Sequence, residues 1–118
     1  MAKKVIILVR SCPYGMATAA EAYRAAIGLG AMEHEVSVIF IQDGVFAALK
    51  GQKPQEISMS DVSKAYSGIG EFGVKTYITE SCIKARNIAR DELVFGTVID
   101  LKAVKELVDN SDFALSFS

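Results

Sequence analysis

The sequence is poor in the residues that build disulfide scaffolds and metal sites, since its 118 residues include two cysteines, one histidine and no tryptophan. Two cysteines cannot form a disulfide framework in a chain of this length. Neither Cys12 nor Cys82 belongs to a C-x-x-C pair or clusters with His34, so structural zinc is not expected. The loop around Tyr14 and Gly15 lacks nucleotide-binding glycine spacing and is interpreted as a tight turn rather than a phosphate site. We expect no metal and no cofactor.

Strong charge of one sign and long apolar runs are also absent. The 13 basic and 14 acidic residues give a net charge of -1, which does not indicate a surface that binds nucleic acid or acidic lipids. The apolar run at residues 5–9 is too short for a signal peptide or a membrane-spanning helix. A hydrophobic fraction of 51% suits a compact core. We therefore expect one domain over residues 1–118, located in the cytoplasm.

Apolar runs alternate with helical patterns along the chain. Strands are predicted at residues 5–9, 36–41, 74–78, 97–99 and 113–117. Helices are predicted at residues 17–32, at 45–49, from Ser58 or Ser60 to about 72 with Gly73 as the stop, at 81–90 and at 101–108. The alternation implies βαβ crossovers. The predicted fold is a single three-layer α/β domain of the flavodoxin or Rossmann type, with a mostly parallel sheet and helices on both faces.

Three candidate groups each follow a predicted strand. They are Cys12, Asp43 and Cys82. Reactive groups in parallel α/β sheets gather beyond the carboxyl ends of the strands, so all three should lie at one edge. The pair Asp43-Gly44 is interpreted as a turn in which Asp43 caps the short helix, in preference to a functional carboxylate.

Cys82 is the strongest candidate because it lies where a strand pattern gives way to a helical one. Amides at a helix N-terminus, supplemented by Lys84 and Arg86, should favour the nucleophilic thiolate. The alternative is a small apolar residue facing the core. Glu80 is interpreted as balancing the helix N-terminus rather than accepting a proton. His34 falls at the amino edge of the predicted sheet, so sulfur transfer is favoured over a Cys-His hydrolase.

Short motifs extend this interpretation. They are SCPYG at residues 11–15 before an alanine-rich helix, VIFIQDGV at 38–45, and FGV at 72–74 leading to SCIKAR at 81–86. In this order and spacing they resemble the DsrE/DsrF/TusD sulfur-relay family over almost the whole chain. The resemblance implies that Cys82 matches the cysteine that carries sulfur as a persulfide in the DsrE and TusD branch. The DsrF and TusC branch lacks that role, so the presence of Cys82 favours the DsrE and TusD branch.

The function implied is a cytoplasmic sulfur carrier, or sulfurtransferase, that accepts sulfur as a persulfide on Cys82 and relays it to an acceptor thiol. Ser81, Glu80, Lys84 and Arg86 are the candidate supporting residues. The partners implied are sulfur donor and acceptor proteins. The resemblance also implies a trimer or hexamer, either of identical chains or with related subunits.

Two alternatives stay open. One is a non-catalytic subunit or small-ligand-binding protein of the same fold, in which Cys82 is incidental. The other concerns Cys12, a departure from the family pattern, which would act as a second thiol beside Cys82 if the first and third strands were neighbours. The sequence does not specify the donor, the acceptor or the pathway, whether tRNA thiolation, sulfur oxidation or another.

Overall fold

Five parallel strands form one sheet in the computed structural model, which describes residues 2–10, 18–48, 66, 68–93 and 95–117. The strands are β1 Lys4–Val9, β2 Glu35–Phe40, β3 Lys75–Thr79, β4 Thr97–Ile99 and β5 Phe113–Phe117. Their order is β4-β3-β2-β1-β5. Every pairing is parallel, which confirms the predicted α/β fold.

The described α-helices are α1 Thr18–Ala31, α2 Glu80–Ala85 and α3 Leu101–Asp109, and short 3-10 helices span Gln42–Ala48, Ile69–Phe72 and Arg90–Glu92. The predicted helix before β3 starts outside the described residues, but its stop is confirmed. The last turn closes at Gly73, whose φ of 77° is left-handed. No helix in the described part of the chain is long and apolar enough to span a membrane.

Helix α2 is shorter than predicted, because the pattern at residues 81–90 predicts one helix and α2 stops after six residues. Asn87 takes a left-handed φ of 55°, which Asn tolerates better than most residues. Its amide donates to the Lys84 carbonyl. The next amide, of Ile88, donates to the Ile83 carbonyl, which completes a Schellman motif. The prediction of a continuous helix is therefore wrong, and Asn87 is the residue that ends it.

The segment after β2 also differs from the prediction. The sequence predicts a turn at Asp43-Gly44 before a helix at residues 45–49. The 3-10 helix Gln42–Ala48 instead begins ahead of this pair and includes it. Gln42 has a positive φ of 51°, so the backbone leaves the extended conformation two residues after β2 ends. No separate turn precedes the helix.

The hydrophobic core lies mainly on the sheet face that α1 covers. There Val5, Ile7 and Val9 of β1 pack with Ala22 and Ala26 of α1. An aromatic cluster with ring centroids 4.9 to 5.5 Å apart completes this side, formed by Tyr23, Phe40, Tyr66 and Phe95. Burial raises the pKa of the Tyr66 phenol above its ordinary range, with Tyr23 adding to the effect.

Helix α3 lies over the opposite face of the sheet. It leaves a cavity of about 460 Å³ against the strands, lined by Ile6, Tyr77 and Leu107 among others. Helices therefore flank the sheet on both faces, as predicted. The cavity also includes Lys4, Glu35 and Lys75, the first residues of three strands, and so opens toward the amino edge.

Helix α3 begins with a side-chain cap, since the Asp100 carboxylate accepts a hydrogen bond from the Ala103 amide at 2.8 Å. Asp100→Ala leaves that amide without its partner and is expected to lower the free energy of unfolding by about 1 kcal/mol. Asp100→Asn still offers an acceptor oxygen and is expected to cost less. Urea denaturation of both variants measures the difference, and equal losses would contradict the capping role.

Candidate functional site

Cys82 lies just beyond the carboxyl end of β3, as the sequence predicts. Strand β3 ends at Thr79 and α2 begins at the next residue, so Cys82 is the third residue of that helix. The buried Thr79 hydroxyl donates to the Phe40 carbonyl at 3.0 Å, which fixes the strand end against β2. Cys82 is partly buried and packs against the hydrophobic core. The junction therefore holds the thiol at a defined place on the carboxyl edge.

The described donor to the Cys82 sulfur comes from a different element than predicted. The backbone amide of Gln42 donates a hydrogen bond to Cys82 Sγ at 3.1 Å. The sequence predicts stabilisation by the N-terminus of the helix that carries Cys82, but α2 has only six residues and its dipole is correspondingly small. The sequence does not indicate Gln42 as a candidate, because no sequence pattern shows which backbone amide of a loop will face a neighbouring helix.

Arg86 links the two elements that meet at this site. Its Nε donates to Asp43 Oδ1 at 3.0 Å, and its Nη1 donates to the Cys82 carbonyl at 3.1 Å. The Arg86 side chain is 25% exposed and that of Asp43 is 60% exposed. The structure therefore places Asp43 beside the helix that carries Cys82, at the carboxyl edge of the sheet where both residues are predicted to lie. Arg86 acts as a clamp that joins the 3-10 helix to α2.

The other predicted supporting residues form an outer group. The Glu80 carboxylate pairs with the Arg90 guanidinium and, at 3.5 Å, with the Lys84 ammonium. The Lys84 side chain is 73% exposed, and Ser81 is exposed as well. Glu80 is thus engaged by cations, an arrangement that agrees with a charge-balancing role better than with proton acceptance.

Gly44 lets the 3-10 helix approach the end of β1. A Cβ at this position would lie 2.0 Å from the Val9 carbonyl oxygen, a separation that real side chains do not adopt. Arg10, directly after β1, donates from its Nε to Gln42 Oε1 at 3.3 Å. The Gln42 side chain is thereby directed to Arg10, while the backbone amide of Gln42 donates its hydrogen bond to Cys82 Sγ.

The remaining candidates are not brought to Cys82 by the described structure. Cys12, Tyr14 and Gly15 lie outside the described residues. Strand β2 separates β1 from β3, so the neighbouring arrangement that would favour exchange between Cys12 and Cys82 does not occur. His34 lies at the amino edge, where its Nδ1 accepts from the Lys3 amide at 3.1 Å.

The arrangement provides a thiol with a hydrogen-bond donor at its sulfur, and the Arg86 guanidinium binds the carbonyl of the same cysteine. No group of three or more histidine, cysteine, aspartate or glutamate side chains suited to a metal ion occurs in the described ranges. The single histidine lies at the far edge of the sheet. The site therefore suits thiolate chemistry, in which the cysteine attacks or leaves without a histidine base.

Arg86 and Lys84 are expected to differ in their contributions to stability. Arg86→Gln breaks the link to Asp43 and the hydrogen bond to the Cys82 carbonyl, and should lower the free energy of unfolding by about 1 kcal/mol. Lys84→Gln removes an exposed pair and should change it by less than about 0.5 kcal/mol. Urea denaturation measures both. An equal effect of the two substitutions would contradict the clamp.

This chain resembles two named proteins over almost its whole length. It is 31% identical to the intracellular sulfur oxidation protein DsrF of Allochromatium vinosum, over 98% of this chain and 96% of that protein. It is 27% identical to a TusC homolog of Pseudomonas aeruginosa, over 95% and 96% of the two chains.

Two solved structures share the fold. The ychN protein of E. coli superposes with a TM-score of 0.85 at 26% identity, over 99% of this chain and 100% of that one. MTH1491 from Methanobacterium thermoautotrophicum, a protein of unknown function, has a TM-score of 0.67 at 14% identity, a likeness of fold alone. Residues 3–117 match the sequence model of the DsrE/DsrF-like family. The resemblance predicted from the sequence motifs is thus confirmed, and the chain belongs to the DsrE/DsrF-like family.

Proposed function

We propose that the protein is a sulfur-relay protein that carries sulfur as a persulfide on Cys82. The observation that carries this proposal is the 3.1 Å hydrogen bond from the Gln42 amide to Cys82 Sγ. A donor at the sulfur stabilises the thiolate, which is the form that attacks sulfur compounds. Cys82 is only partly buried, which supports its reaction with a thiol of another protein.

The relay consists of two exchange steps with no net oxidation. In loading, the Cys82 thiolate attacks the outer sulfur of a donor persulfide. The donor S–S bond breaks, the outer sulfur stays on Cys82 as a persulfide, and the donor leaves as a thiolate. In delivery, an acceptor thiolate attacks that outer sulfur and Cys82 leaves as a thiolate. Each step transfers one sulfur atom and regenerates one thiolate.

The names of similar proteins support a sulfur-relay role, since one relative is called an intracellular sulfur oxidation protein. They also favour a second candidate. Relatives named DsrF and TusC belong to the branch that, by the family resemblance, lacks the sulfur-carrying role. In that case the protein is a non-catalytic subunit of a relay complex, and Cys82 is incidental.

Both candidates require partner proteins, and the proposal places them in the cytoplasm. Strand β5 lies at one edge of the sheet, and its residues Phe113 and Leu115 are 57% and 42% exposed. Exposed apolar side chains on an edge strand favour burial against another subunit. This supports contact with another subunit, and the family resemblance implies a trimer or hexamer of identical or related chains that exchanges sulfur with separate donor and acceptor proteins.

A load-and-chase experiment separates the two candidates. The protein is incubated with a polysulfide donor, freed of the excess, and then mixed with a small acceptor thiol while its intact mass is followed. The carrier gains one sulfur atom and loses it to the acceptor thiol. A non-catalytic subunit gains none under conditions that load a known carrier protein, and that result would overturn the assignment.

A further inference from the structure

We infer that Gln42 is a positioning residue whose left-handed backbone holds the amide that stabilises the Cys82 thiolate. The inference deepens the proposed function, because it rests on that function for the delivery step. The hydrogen bond from the Gln42 backbone to Cys82 is observed in the structure and does not depend on the proposed function.

The conformation of Gln42 is not explained by helix termination. Among the described residues other than glycine, only Glu33, Gln42 and Asn87 have positive φ, at 66°, 51° and 55°. Glu33 and Asn87 each end a helix through paired amides of a Schellman motif. Gln42 follows a strand instead, and its amide donates to Cys82 Sγ. A left-handed residue without a helix to end is the kind of backbone strain that gathers at functional sites.

Contacts on both sides of the hydrogen bond hold it in place. Gly44 packs against the Val9 carbonyl at a distance that only glycine allows. On the other side, the Arg86 guanidinium binds both the Asp43 carboxylate and the Cys82 carbonyl. The residue after Gln42 and the residue that receives its hydrogen bond are therefore tied to the same guanidinium.

The backbone of Gln42, rather than its side chain, acts on the sulfur. Its Oε1 accepts a hydrogen bond from Arg10 Nε at 3.3 Å and so is engaged by another residue. Delivery of sulfur expels Cys82 as a thiolate, and a donor at the leaving sulfur lowers the barrier to that step. Loss of the amide contact should therefore slow delivery as well as the reaction of the free thiol.

Three substitutions separate the effect of the Gln42 backbone conformation from the effect of its side chain and from a general loss of stability. Gln42→Gly keeps the amide and adopts positive φ freely. Gln42→Val keeps the amide, but its β-branched side chain disfavours positive φ and should turn the amide away. Glu33→Val imposes the same backbone cost at the far edge of the sheet, remote from Cys82, and serves as the matched control.

The readouts are the rate at which iodoacetamide alkylates Cys82 at neutral pH, measured by peptide mapping, and the rate of sulfur delivery to a small thiol. Gln42→Val is expected to slow both by roughly threefold to tenfold, the effect of losing a hydrogen bond to a charged group. Gln42→Gly and Glu33→Val should stay within about twofold of the parent, even where Glu33→Val lowers thermal stability.

Each outcome decides the inference. If Gln42→Gly is as slow as Gln42→Val, the side chain is responsible and the positioning role is wrong. If Gln42→Val alkylates as fast as the parent or faster, the amide does not stabilise the thiolate. If the parent carries no sulfur but the alkylation rates follow the expected order, the sulfur-carrier proposal fails while the positioning of Cys82 by Gln42 stands.

Discussion

Cys82→Ser is expected to abolish sulfur loading, because a serine hydroxyl cannot form a persulfide. The fold should survive the change. Serine is close to cysteine in size, and its oxygen can still accept the hydrogen bond from the Gln42 amide. Cys82 is also only partly buried, so the free energy of unfolding should fall by no more than about 1 kcal/mol. The measurement is intact mass after incubation with a polysulfide donor, beside thermal unfolding of the same sample.

Cys12→Ser is the matched control for this result. It removes the other cysteine of the chain and should leave sulfur loading at the level of the parent. Loading retained in Cys82→Ser and lost in Cys12→Ser would show that Cys12, and not Cys82, carries the sulfur. Loading absent from the parent as well would instead favour the non-catalytic subunit.

Gly44→Ala is expected to have the largest effect on stability among the substitutions considered. The added Cβ would lie 2.0 Å from the Val9 carbonyl oxygen and 2.8 Å from its carbon, both backbone atoms at the end of a buried strand. The backbone must move, at a cost of about 3 kcal/mol in the free energy of unfolding. Because the 3-10 helix would move away from β1, the Gln42 amide should also separate from the Cys82 sulfur. Urea denaturation and Cys82 alkylation measure the two effects.

Gly28→Ala provides the control for added volume. Gly28 lies in α1, and a Cβ there would meet nothing within 4 Å. Alanine in a helix interior should raise the free energy of unfolding by roughly 0.5–1 kcal/mol. If Gly44→Ala were as stable as Gly28→Ala, the close approach of the 3-10 helix to β1 would be wrong.

Much of the fold can be predicted from the sequence because its signals are local. Continuous apolar runs such as Val5–Val9 are typical of strands buried on both faces, and the run indicates β1 within one residue of its observed start. Gly73 ends a helical segment where a left-handed residue is needed. The end of α2 is missed because helical periodicity persists through Asn87, and only the cap geometry reveals that the chain turns there.

The site is less predictable, because its main contact joins elements far apart in the sequence. The position of Cys82 after a strand is a local feature and is predicted. The Gln42 amide reaches it from another loop, and it does so through a left-handed conformation that no residue type requires. The contacts of Arg86 are equally hard to predict, since its charge indicates an exposed side chain while its hydrogen bonds turn it inward to Asp43.

The most direct test of sulfur transport by Cys82 is to trap the sulfur on the loaded parent protein. The protein is treated with a polysulfide donor, alkylated with iodoacetamide, digested and analysed by peptide mass spectrometry. If Cys82 carries sulfur, the peptide that contains it gains one sulfur atom, which is removed when the sample is reduced before alkylation. An unmodified Cys82 peptide in folded protein, with a donor that loads a known carrier in parallel, would contradict sulfur transport by Cys82.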